Sequence, residues 1–132
     1  MPEIQRINPP LLAPPPGNRF AHVVRWGQRV WIAGQTARGV DGVNIGVGDP
    51  MAQAVKVYEN LNIAIASVGG TFANIVKVTI FLTSEDSLPA ARAAQNDCWG
   101  GPERPASSMV IVKALAHSDF LIEIEAEAVL DD

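Results

Sequence analysis

One stretch near the C-terminus constrains the chain more than any other. From Phe120 to Leu130, Phe120, Ile122, Ile124, Ala126 and Ala128 alternate strictly with polar positions that include Glu123, Glu125 and Glu127. A period of two puts the apolar set on one side of an extended strand and the three carboxylates on the other. Such a strand needs neighbours, and the sequence offers them. Ile75 to Thr83 is a near-continuous β-branched run, which predicts a central strand buried on both faces. Phe20 to Arg25 and Arg29 to Ala33, separated by Trp26-Gly27-Gln28, predict a hairpin. Ser107 to Leu115 is a further strand, joined to the last by a short turn near His117-Ser118.

Two segments have helical rather than strand periodicity. Met51, Ala54, Tyr58, Leu61, Ile65 and Val68 recur at spacings of three and four, after Asp49 as N-cap with Pro50 in the first helical position and before Gly69-Gly70. Leu88 to Trp99 predicts a second helix, opened by Ser87 or Asp86 and closed by Gly100-Gly101. Residues 34 to 48 carry five glycines and few large apolar groups, as a mobile loop would. Six of the ten prolines fall in the first sixteen residues, so residues 1–19 are expected to form an extended proline-rich arm ahead of a single domain over 20–132. The order ββαβαββ predicts an α+β protein, with an antiparallel or mixed sheet covered by two helices on one face. The second face is too apolar for water: Val76, Val78, Ile80 and Leu82 alternate against Lys77, Thr79, Phe81 and Thr83. A neighbouring subunit is expected to cover it.

Composition narrows the function classes. At 132 residues, 48% hydrophobic and 18% charged, the chain is expected to bury a full core rather than stay disordered. No apolar run approaches the ~18 residues of a membrane span, and the N-terminus lacks signal-peptide order, so a cytoplasmic protein without membrane contact is expected. Cys98 is the only cysteine, which excludes an internal disulfide. The net charge is -4, and residues 67–132 hold ten acidic groups against four basic ones. No basic patch offers nucleic acid a landing surface.

Few residues are candidates for chemistry. Carboxylates two apart on a strand lie ~7 Å from each other and raise one another's proton affinity. Glu123, nearest the strand start, is expected to face an inter-subunit cleft, hold a water or an amine, and serve as general base or acid; the plain alternative is a solvated outer face. Arg92, among Ala90, Ala91, Ala93 and Ala94, is either a solvent-facing helix arginine or an anion anchor, and Arg38 on the glycine-rich loop is a candidate of the same kind. His22 and His117 are too few ligands for a metal site, and none is expected. Cys98 beside Trp99 is expected to be a packed thiol with no base next to it. Gly34-Gln35 is too short to argue a nucleotide, and there is no phosphate-binding loop or dinucleotide fingerprint.

Taken together, Val30-Trp31-Ile32-Ala33-Gly34-Gln35, the Gln53…Asn60-Leu61…Gly69-Gly70 helix, Ile75 to Leu82, Arg104-Pro105-Ala106-Ser107 and Ile122 to Ala126 resemble the RidA/YjgF family of reactive-intermediate deaminases over roughly Phe20 to Val129. The resemblance implies a chorismate-mutase-like fold, a homotrimer with small-molecule clefts at its subunit interfaces, and no cofactor. It also implies hydrolysis of enamines and imines such as 2-aminoacrylate, with an arginine on the substrate carboxylate and a glutamate positioning water. Glu123 matches that glutamate.

The arginine position reads Ser107, the following cysteine position Met109, the serine before Gly34 is Ala33, and the pocket tyrosine is Phe20. Arg92 stands where the family often has asparagine, so a relocated guanidinium is one expectation. Losing a buried arginine contact to a carboxylate costs on the order of 2 to 5 kcal/mol, so activity on 2-aminoacrylate is expected to be weak or missing. The expected function is a trimeric hydrolase of a small enamine, imine or related polar metabolite, with Ser107, Arg92, Phe20, Ala33 and Gly34 shaping the cleft around Glu123. The alternative is a non-catalytic metabolite-binding or regulatory trimer.

Overall fold

A computed structural model describes residues 2–132. Over these residues the strands β1 (Gln5–Ile7), β2 (Val23–Trp26), β3 (Arg29–Gln35), β4 (Ile75–Leu82), β5 (Ala106–Ile111) and β6 (Ile122–Val129) form one sheet in the order β1-β2-β3-β6-β4-β5. All neighbours are antiparallel except β4 and β5, which are parallel. Helices α1 (Pro50–Ala66) and α2 (Leu88–Cys98) pack on one face, giving the α+β mixed sheet that the sequence predicts.

The alternation in β6 does what its period requires. Ile122, Ile124, Ala126 and Ala128 are buried in the helix-covered core, Glu125 and Glu127 are exposed, and Glu123 is half-buried. In α1 the Asp49 side chain accepts from the Ala52 N–H at 3.1 Å, and Ala54, Tyr58, Leu61 and Ile65 form the buried stripe. Met51 does not join it; in the first turn of the helix it stays exposed. Two polar residues of α1, Gln53 and Asn60, are buried as well. The Gln53 side chain donates to the Asp119 and Gly46 carbonyls and accepts from the Leu121 N–H, tying the start of β6 to the loop before the helix.

Four expectations change in detail. Within one chain β4 buries its core face, with Ile75, Val78, Ile80 and Leu82 buried and Lys77, Thr79 and Phe81 half-buried, and a register shift between Ile75 and Lys77 leaves Val76 exposed instead of in step with Val78. The strand expected to reach Leu115 ends at Ile111, so β5 and β6 are joined by residues 112–121 rather than by a short turn; the two strands flank β4 and their connection passes its end, where Val112 N–H meets Leu82 and Thr83 N–H meets Leu121. Ser87 occupies the N-cap position of α2 without a side-chain bond, since Ser84 caps the preceding short turn instead. The glycine-rich loop is cross-braced rather than free: Ile45 N–H donates to Ala37, Gly39 N–H to Val43, and Arg38 bridges to Asn44.

The N-terminal segment is extended and lies on the sheet. Strand β1 pairs with β2, and Leu12 and Ala13, a few residues further on, are buried. On the face away from the helices Trp26, Trp31 and Val129 remain exposed. Among the described residues no helix is long and apolar enough to cross a membrane.

Candidate functional site

The site begins with an irregularity in β3. Ile32 pairs with Ala126 and Gln35 with Ile124, so three steps on β3 match two on β6, and the extra residue falls at Ala33-Gly34. Glu123 sits against this bulge. A Cβ built on Gly34 would lie 2.5 Å from Oε2 and 2.8 Å from Cδ of Glu123. Glycine is needed there to make room for a carboxylate; its φ is not positive.

Burial raises the Glu123 proton affinity above the ordinary carboxylate value, and the negative charge of Glu125 adds to it. Among the described residues no ion pair offsets either effect. A carboxyl in this state gives up and takes back a proton closer to neutral pH than a solvated one, as general acid–base work requires.

Glu123 borders a cavity of about 340 Å³. The N-terminal arm forms one wall with Leu12, Ala13, Pro14 and Pro16, and Phe20 and Phe120 extend the apolar lining. The polar lining is His22, Gln35, Thr36, Arg38 and Asn60. His22 Nε2 lies 2.6 Å from the Ala13 carbonyl and Nδ1 lies 3.1 Å from Gln35 Nε2. With Gln35 Nε2 donating to Nδ1, the ring's Nε2 is left to donate to the Ala13 carbonyl. Asn8 accepts from the His22 backbone N–H at 2.9 Å, so this histidine staples the arm to the sheet. Asn60 Nδ2 donates to the Thr36 and Arg38 carbonyls at 2.9 and 3.0 Å, which fixes the loop that carries Arg38.

Of the residues expected at the site, Glu123, Gly34, Ala33 and Phe20 meet at this cavity. Ser107 and Arg92 do not border it within one chain. Ser107 lies exposed on the edge strand β5, where its Oγ accepts from Gln95 Nε2 at 3.0 Å, and Arg92 is exposed on α2. Leu12, His22, Gln35, Asn60 and Phe120 also line the cavity, and sequence pattern assigns none of them to it. The nearest thing to a signal is Leu11-Leu12 as the main apolar content of a proline-rich arm, which marks a segment with something to bury. Cys98 is half-buried, and burial, followed by Asp97, pushes its thiol up to about 11, so it is held as an unreactive thiol. His117 sits at the surface 3.6 Å from Asp119.

The family profile described as Endoribonuclease L-PSP matches residues 11–130. The chain belongs to this family, known also as RidA/YjgF. Relatives agree along most of their length. A 2-iminobutanoate/2-iminopropanoate deaminase of Dermatophagoides farinae is 27% identical over 96% of this chain and 98% of its own. A RutC family protein of Synechocystis is 31% identical over 89% of this chain and 91% of its own. Among solved structures, the Rid family protein YyfA of Yersinia pestis superposes with a TM-score of 0.88 at 26% identity, covering 97% of this chain and 100% of that one. The RidA/YjgF fold is thereby shared over nearly the whole chain, including the strands that carry the bulge and Glu123.

Proposed function

We propose that this RidA/YjgF protein hydrolyses a small enamine or imine, with Glu123 as the group that handles water and protons. One observation carries the proposal: a half-buried carboxyl whose proton affinity burial raises is pressed against a glycine that has no other steric reason to be one, at the wall of a cavity sized for a small metabolite. In the reaction the Glu123 carboxylate takes a proton from water as oxygen bonds to the C=N carbon. The carboxylic acid so formed gives that proton to the nitrogen, making a carbinolamine; the carboxylate then takes the carbinolamine hydroxyl proton and passes it to the nitrogen as the C–N bond breaks, leaving a carbonyl compound and ammonia, an enamine entering as its imine tautomer. The relative named as a 2-iminobutanoate/2-iminopropanoate deaminase supports the reaction class.

The working unit in this proposal is a homotrimer in the cytoplasm, without cofactor. Ser107, Arg92 and the exposed Val110 and Ile111 of β5 would reach the cavity mouth of a neighbouring copy, which would account for their absence from it within one chain. With Ser107 in the arginine position, turnover of 2-aminoacrylate is expected to be weak. An acidic chain whose cavity holds a carboxyl does not suit a polyanion, so the endoribonuclease description gains no support from the charge distribution.

The test is ammonia release from freshly generated imines by wild type and Glu123→Gln. A loss of roughly 10²- to 10⁴-fold in the variant supports the proposal. Equal turnover in both overturns it, and so does a wild type that turns over no imine and co-purifies with a bound metabolite, the behaviour of a binding module.

A further inference from the structure

We infer that Arg38, on the braced loop after β3, is the anion anchor of the Glu123 cavity, and that the cavity takes a monoanionic carboxylate with a small apolar body. The inference rests on the reading of that cavity as the substrate site and names what the site selects. Arg38 is a wall residue of the cavity, and its Nε–H is buried with no acceptor. A guanidinium donor left unpaired away from water is unfavourable, and the usual remedy is an acceptor, here one the chain does not supply. Among the described residues Arg38 forms no ion pair, although Asp41 is only three residues away; the Asp41 carboxylate instead accepts from the Val43 N–H at 3.1 Å.

The side chain is held in readiness by its surroundings. The Arg38 backbone is fixed at both ends, its N–H on Thr36 and its carbonyl on Asn60. At the guanidinium, Gly42 comes close enough that a Cβ there would sit 3.3 Å from Nη2. A guanidinium presents Nε–H and one Nη–H side by side, the geometry that fits a carboxylate. Of the groups around the cavity, Glu123 repels an anion and His22 is engaged on both ring nitrogens, so Arg38 is the cation that remains. Leu12, Phe20 and Phe120 supply the apolar surface for the rest of the molecule. The anion is therefore gripped from the loop, at a different place from Ser107 on β5, and the hydrolysed carbon must reach Glu123 from there.

The experiment titrates the full-length protein with hexanoate and with hexanamide, followed by backbone amide shifts. Wild type should bind hexanoate at least tenfold more tightly than hexanamide. Arg38→Met should lower hexanoate affinity roughly 10- to 100-fold while leaving hexanamide within about twofold, which also reports an intact cavity, and Arg38→Lys should recover part of the loss. Glu123→Gln should not weaken hexanoate. Equal affinity of wild type and Arg38→Met for hexanoate, no preference for the carboxylate over the amide, or no binding of either probe to wild type overturns the inference. If Arg38→Met behaves as stated while Glu123→Gln leaves imine turnover unchanged, the anchor stands and the hydrolytic role falls.

Discussion

At the β1-β2-β3 end of the sheet the chain builds its own wall, with the proline-rich segment folded back so that Leu12 to Pro16 close a cavity over Glu123 and the bulge. At the β5 end it leaves the edge open, with Val110 and Ile111 41% and 47% exposed and Ser107 outside the lining of that cavity. The first end is completed by side chains a single chain supplies. The second presents apolar surface beside residues expected to bind substrate, as a seam between copies would. The contrast teaches that, under the proposed function, the proton-handling half of the site would be intrinsic to the subunit, whereas the half assigned to Ser107 and Arg92 would need a partner to become a site at all.

The sharpest way to break this comparison is at Gly34. Gly34→Val places a branched side chain where the Glu123 carboxylate lies, so imine turnover should fall about 10²- to 10⁴-fold with the circular dichroism spectrum of the sheet retained. Next comes the wall itself. Leu12→Ala empties a buried position and should lower unfolding stability by about 2 to 4 kcal/mol in denaturant titrations, whereas Val110→Ala at the open end should change it by less than about 0.5 kcal/mol in a monomeric reference. Third, Val110→Asp with Ile111→Asp should weaken self-association at least tenfold by sedimentation, and turnover should drop with it while Glu123 stays in place; a double variant that still sediments as a trimer would remove the seam from β5.

The smallest effect is one of pH. Glu123 binds its proton more tightly folded than unfolded, so the stability it contributes is full below the ordinary carboxylate value and is lost as pH rises through its folded value. Glu123→Gln should therefore gain stability relative to wild type as pH is raised from about 4 toward 8, with little difference at the acid limit.

Much of the architecture is legible in the sequence because it rests on periodicity. The β6 alternation, the Asp49-Pro50 start of α1 and the hairpin at Gly27 each follow from local chemistry, and each holds in the structure. What escapes such reading depends on contacts between distant residues. Three residues among prolines carry no period, so β1 is not separable from an arm, and the neighbour of β5 is set by the path of residues 112–121 rather than by any turn signal. The bulge is invisible because the sequence reading ends the strand at Ala33 and gives Gly34-Gln35 to the glycine-rich loop, whereas β3 runs on to Gln35; only pairing with β6 shows the extra residue. Within the site, Glu123 can be found from its place on an alternating strand. His22 cannot, because its value lies in bonds to Ala13 and Gln35, nine and thirteen positions away.

The crowding of Gly34 against Glu123 makes the two positions interdependent over evolutionary time. While the acid is kept, nearly every substitution at position 34 is penalised; once the acid is replaced by a small residue, that penalty disappears and the bulge is free to acquire a side chain of its own. Restoring the acid alone in a protein that has since gained a side chain at position 34 would then leave the carboxylate no place against the bulge.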